Sequence, residues 1–180
     1  MKKKNLLFCI CLLTIAPALQ AQDSLLVTPR ATMPYKFAFG LRYSPAGPGS
    51  DYSFTAKYFL SSQSALEVQA SKLTYSDNYM ATLNYIWQPQ LLTSPNLRPY
   101  AGLGIGMLHY QDHHHEGPVT KTNPVAVITA GIEYTFPKAP VAISLDYRAP
   151  ILRYDNSNTT PRLPLSRFSN FGLGIKFLLR

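Results

Sequence analysis

Asp112-His113-His114-His115-Glu116 is the run in this sequence that most resembles a metal site. Imidazole and carboxylate ligands together suit zinc, copper or nickel. In an extended segment, His113 and His115 project to the same side. However, consecutive histidines within a polar turn region lack the hydrogen-bonded partners that fix ligand geometry in a built site. The run therefore reads as a solvated loop tip, with His113 and His115 as weak metal candidates and no cofactor expected. Protonation near the ordinary imidazole pKa of about 6.5 would make the loop's charge depend on pH.

A second group of chemistry-bearing residues is dispersed: Lys36, Arg42, Lys57, Arg148 and Lys176, with Glu67, Glu133 and Asp146. Each falls on the polar phase of an alternating stretch, so a sheet would gather all of them on one face. If that face lines a closed interior, the charges must pair or stay hydrated, because an unpaired buried charge is costly. The expected result is a salt-bridged plug; a narrow ion path is the alternative. Tyr75-Ser76-Asp77-Asn78 offers a hydroxyl and a carboxylate, but these are ordinary turn formers. A nucleophile and its base would have to come from distant segments, and no such pair is visible. The polar stretch from Asn156 to Pro164 reads as a tolerant loop, with adhesion or partner recognition as its functional alternative and no partner indicated.

The elements that position these residues are strands. Helical spacing is not sustained anywhere, whereas eight stretches alternate apolar with small or polar residues. The last is the plainest: Phe171, Leu173, Ile175 and Phe177 on one face, Gly172, Gly174 and Lys176 on the other. The others lie near residues 35–43, 52–60, 65–75, 79–87, 98–110, 125–136 and 141–147. The first is expected to point Tyr35, Phe37, Phe39, Leu41 and Tyr43 outward, and Lys36, Ala38, Gly40 and Arg42 inward. The third loses phase at Lys72-Leu73, which suggests a β-bulge. Residues 111–124 and 149–167 are the longest expected loops, and 88–97 is long for a turn on the opposite side.

Lys2, Lys3 and Lys4, the apolar run Leu6 to Ile15 and the small-residue region up to Ala21 have the order of a secretory signal peptide. Residues 1–21 are assigned to it, 22–33 to an irregular lead-in and 34–180 to the folded domain. Cleavage after Ala18 is the alternative. Both cysteines, Cys9 and Cys11, lie inside the signal, so no disulfide or thiol chemistry is expected after export. Removing three lysines lowers the formal charge from +8 to +5. The basic residues are scattered, and export makes nucleic acid a poor partner; anionic head groups and lumen charges account better for the surplus.

An even number of strands, one oily face on each, aromatics near both ends of those faces and an export signal together predict an all-β, eight-stranded antiparallel up-and-down transmembrane barrel. The chain resembles small outer-membrane barrels of the OmpA/OmpX type. It is similar in particular to the Bacteroidetes-type outer membrane protein β-barrel domain family. The residues carrying the likeness are Arg98-Pro-Tyr-Ala-Gly-Leu-Gly-Ile-Gly106 and the closing Phe171-Gly-Leu-Gly-Ile-Lys-Phe177. The resemblance implies residence in the cell outer membrane, insertion by the outer-membrane assembly machinery, and contact with outer-membrane lipid or lipopolysaccharide. It implies no activity. Many such barrels end in an aromatic residue, whereas Phe177 is followed here by Leu178-Leu179-Arg180. Lipid-modifying enzymes also use small barrels. Lipid A deacylases carry His and Ser two residues apart, but His109 is followed by Tyr110-Gln111; palmitoyltransferases add an amphipathic helix that is absent here. A structural or surface-interaction protein is the leading expectation, a lipid-modifying enzyme the second and a narrow pore the third.

Overall fold

The computed structural model describes residues 32–46, 49–73, 78–114, 117–153 and 171–179. The proposed signal peptide and the loop from Asn156 to Pro164 lie outside them. Eight strands follow in chain order: β1 Phe37–Ala46, β2 Gly49–Phe59, β3 Ser64–Leu73, β4 Tyr79–Trp87, β5 Leu97–His114, β6 Gly117–Thr135, β7 Val141–Arg153 and β8 Phe171–Leu179. Each pairs antiparallel with the next, and β8 returns to β1 from Phe37↔Leu179 to Tyr43↔Leu173, closing the barrel. Closure leaves no free sheet edge along the shared ladder. The fold class is therefore a closed, all-β, eight-stranded antiparallel barrel.

Alternation fixes which face each residue takes. Along β8, exposed and buried residues strictly alternate. The exposed set is the apolar one: Ile105 is 71% exposed and Leu173 64%, while Lys57 and Glu67 are fully buried. Hydrophobic burial thus drives little of the interior packing. The interior is mostly polar, and the oily side chains form the outer surface.

Strand prolines show why the ladders stop where they do. Proline cannot donate a ladder hydrogen bond, so it is confined to edges and bulges. Pro45 lies above the last β1–β8 pair, Pro99 below the last β4–β5 pair, and Pro118 and Pro124 beyond the end of the β6–β7 pairing. Pro150 sits at the bulge between β6 and β7, where Ala126 pairs with Leu152 and Val127 with Pro150, skipping Ile151.

Three expectations change. The Lys72-Leu73 region holds no bulge: β3 runs in continuous register against β2 and β4, and Lys72 simply points outward. The segment 111–124 is mostly strand, since β5 and β6 pair from His109↔Thr122 up to His114↔Gly117. Residues 149–153 likewise extend β7. Both extensions are polar or proline-containing in sequence and break the alternation by which the barrel strands are recognised.

The end of the barrel holding both described termini has an apolar floor of Tyr35, Ala38, Phe59, Ala65, Ile86, Tyr100, Ala142 and Leu178. Tyr35 precedes β1 and turns inward, 2% exposed, with its ring edge-on to Phe59 at 5.0 Å. The outward placement expected from period-2 alternation fails there because the alternation belongs only to the strand.

Candidate functional site: the ionic interior

Above the floor, inward positions of different strands converge on two glutamates. Glu133 on β6 receives four donors on its two carboxylate oxygens. Oε1 accepts from the Tyr35 hydroxyl at 2.7 Å and Gln88 Nε2 at 3.0 Å, and Oε2 from Lys176 Nζ at 2.8 Å and Lys57 Nζ at 3.1 Å. Glu67 on β3 meets Arg148 Nη2 at 2.5 Å, Lys176 at 3.3 Å and Lys57 at 3.7 Å. Both lysines therefore bridge both glutamates. Their ammonium groups also lie over the Tyr100 ring, at 4.7 Å for Lys57 and 5.8 Å for Lys176, where a ring face attracts a cation.

Asp146 on β7 anchors the next level. It accepts from Arg42 Nε at 2.6 Å and from the Tyr100 hydroxyl at 3.0 Å, and lies 3.4 Å from Arg148 Nε. Arg42 also reaches Asp51 at 3.7 Å. Arg148 donates to Gln69 as well, and Gln69 Nε2 donates to Ser53 Oγ at 2.8 Å. Four buried cations thus face three buried carboxylates, with Asp51 at the edge supplying the fourth negative charge. Close pairing of both signs is what burial of charge requires.

Inward glycines make room for the long side chains. A Cβ on Gly172 would fall 2.3 Å from the Arg42 guanidinium carbon, and one on Gly131 would fall 2.8 Å from the Tyr100 ring. These strands are glycine-rich inside because a neighbour's side chain already occupies the space.

Of the eight lumen residues expected from the sequence, Arg42, Lys57, Glu67, Glu133, Asp146, Arg148 and Lys176 lie in this network. Lys36 does not: it is exposed, outside the interior, because it precedes the first residue of β1. Tyr35, Gln69, Gln88 and Tyr100 also belong to the network. Gln88 comes from the long 88–96 connection. Its amide enters the lumen, and its backbone N donates to Gln63 O at 2.7 Å. The unusual length of that connection was the available signal. Arg98 is also buried, at the floor, and is held largely by oxygens of the main chain: Thr32 O at 2.6 Å and Ser62 O at 3.3 Å.

The backbone of His113 lies in β5 opposite Pro118; its side chain, and His115 altogether, are outside the described set. Among the described residues, no cluster of three or more His, Cys, Asp or Glu side chains could hold a metal ion. On the outer surface, His109 Nδ1 lies 2.9 Å from Thr122 Oγ1 across the β5–β6 pair.

No family model matches the chain, and no curated protein matches it. Solved structures do. The N-terminal β-barrel domain of Pseudomonas aeruginosa OprF is similar at 19% identity, over 78% of this chain and 93% of that one, with a TM-score of 0.54. A de novo designed transmembrane β-barrel is similar at 14% identity, over 82% and 98%, with a TM-score of 0.53. Neisserial surface protein A is similar at 12% identity, over 79% and 94%, with a TM-score of 0.51. At these identities the likeness is one of fold: this chain has the architecture of small eight-stranded membrane barrels.

Proposed function

We propose that the chain is an integral outer-membrane barrel with a structural or surface-interaction role, its lumen sealed by the ion-pair network. One observation carries the reading: polarity is inverted, with Phe54, Leu103, Ile105, Ile143, Leu173 and Ile175 exposed while Lys57, Glu67, Glu133 and Asp146 are buried. In water such a surface would be an aggregation liability, whereas lipid demands it. Aromatics band both ends of the outer face, with Tyr43, Tyr52, Tyr79, Tyr147 and Phe171 at one and Phe39, Tyr58, Tyr85, Trp87 and Phe177 at the other. Such girdles sit at membrane interfaces. The signal-like N-terminus supports export, and the motifs Arg98–Gly106 and Phe171–Phe177 support the finer likeness to Bacteroidetes-type barrels. Insertion by the assembly machinery and contact with lipopolysaccharide follow from the same reading. Cell fractionation tests it: the chain should be recovered in outer membranes and migrate anomalously on gels when unheated. Recovery as a soluble periplasmic protein would defeat it.

A lipid-modifying enzyme is the second reading, favoured by the His109–Thr122 contact at the outer rim. Among the described side chains, none orients the other imidazole nitrogen, and a third group with that role is part of an activated nucleophile. Lipid A mass spectrometry with and without the protein separates the two: an unchanged lipid A profile supports the non-enzymatic barrel, and a modification lost in His109→Ala supports the enzyme.

A further inference from the structure

Thr32 lies across the barrel from the strand it leads into. Arg98, which holds it, sits on β5, and β5 stands four strands from β1 in a closed ring of eight. The segment Thr32–Tyr35 therefore spans the mouth at the floor end. Both polar groups of the Thr32 backbone are taken. Its carbonyl accepts from Arg98 Nη2 at 2.6 Å, and its N–H donates to Gln90 Oε1 at 3.1 Å. Arg98 also donates to Gln90 Oε1 and to Ser62 O, both at 3.3 Å. At the other end of the segment, Lys36 is a fixed hinge: its N–H donates to Leu179 O at 3.2 Å, and its carbonyl accepts from Phe59 N at 2.9 Å.

Between clasp and hinge, Tyr35 is a stopper. Seven strands each give one residue to the apolar floor, and three of these are alanines, Ala38, Ala65 and Ala142. Alanines are too short to meet across a barrel. The Tyr35 ring, the one floor residue described that comes from outside the strands, supplies the missing bulk.

We propose that Thr32–Tyr35 is a releasable strap, clasped by Arg98 and Gln90, which opens the floor of the lumen to water while the ionic layer above stays shut. The inference builds on the sealed lumen proposed above: an open strap exposes a dead-end vestibule and not a pore. Its contacts make the strap the weak point of the interior. Among the described residues, no carboxylate pairs with Arg98, so release strands no anion, and the guanidinium keeps Gln90 and Ser62 as acceptors. Glu133 loses the Tyr35 hydroxyl but keeps Gln88, Lys57 and Lys176. No pair of the β1–β2 or β1–β8 ladders breaks, because both begin at Phe37. Opening the strap costs a few hydrogen bonds and the burial of one ring, whereas opening the ionic layer unpairs buried charges. Local opening follows the cheaper route.

The test uses the chain from Gln22 to Arg180, which contains no cysteine, folded in lipid nanodiscs so that both ends meet water. Single cysteines report access to a small charged thiol reagent. Ala142→Cys lies in the floor, and Thr82→Cys lies beyond Glu67, opposite Gln69. Arg98→Ala removes one half of the clasp and Gln90→Leu the other. Thr32→Pro removes only the N–H that Gln90 accepts. Each should raise the labelling rate at 142 about tenfold, the scale of one lost hydrogen bond, and leave the rate at 82 unchanged. If Arg98→Ala does not fold, Gln90→Leu and Thr32→Pro decide. Equal rates at 142 in wild type and variants would overturn the proposal. So would a parallel rise at both reporters, the mark of general loosening. Planar-bilayer currents separate the two readings. Currents from wild type defeat the seal; a closed wild type whose strap variants leave 142 unreactive defeats this inference alone.

Discussion

Glu133 concentrates more of the interior than any other residue described here, with two ammonium groups, a phenol and an amide on one carboxylate. Glu133→Gln keeps the shape and removes the charge, leaving Lys57 and Lys176 to share Glu67. Breaking a buried pair from one side costs about 3–5 kcal/mol, and urea unfolding in lipid vesicles should show a loss on that scale. Adding Asp146→Asn removes the nearer carboxylate of Arg42 and should destabilise further. An unchanged midpoint in the double variant would mean that the charges are hydrated and not paired. Tyr35→Phe removes one donor to the same carboxylate and leaves the ring packed on Phe59. Its expected cost is about 1.5–3 kcal/mol, the range for a hydrogen bond to a charged group.

At the scale of the strand, the outer face should be judged by lipid. Ile105 is exposed in the middle of β5, and Ile143 is exposed opposite Ile175 at the middle of β8. Ile→Arg at either should cost about 2–4 kcal/mol in bilayers, the midplane value for a barrel; equal stability of Ile143→Arg and wild type in vesicles would contradict the face assignment. The eight strands were readable from sequence because period-2 alternation directly reports a sheet with two different faces, and β4 matched to the residue. Where alternation ended, so did legibility. Tyr35 turned inward and Lys36 stayed exposed, against expectation, because both lie just before the first residue of β1, where its alternation no longer holds. The upper parts of β5 and β6 are rich in polar residues, with Pro118 and Pro124 in β6, so composition suggested a loop where cross-strand pairing extends both strands. Lys72-Leu73 suggested a bulge because a lysine stood in an outward position, yet backbone register is set by ladders and not by side-chain type.

As a whole molecule, the barrel pairs an apolar floor with an ionic layer, and eight strands leave an interior just wide enough for side chains to fill. Seven lumen charges were legible from face assignment alone. Their pairings were not, since these depend on which strands face each other across the closed barrel. Nor were Gln88 and Tyr35, which arrive from outside the strands. Negligible steady conductance is therefore expected in planar bilayers at neutral pH, and stable, reproducible currents from pure wild-type protein would promote the pore reading. The central claim, that the apolar surface faces lipid, has a more direct test. A chain beginning at Gln22 contains no cysteine, so single cysteines can be spin-labelled along β7 in lipid vesicles at positions 143, 144 and 145. Power saturation should show high oxygen accessibility with low access to an aqueous relaxant at 143 and 145, and low accessibility to both at 144. Aqueous access at 143 and 145 equal to that of a soluble surface site would contradict the membrane-spanning barrel.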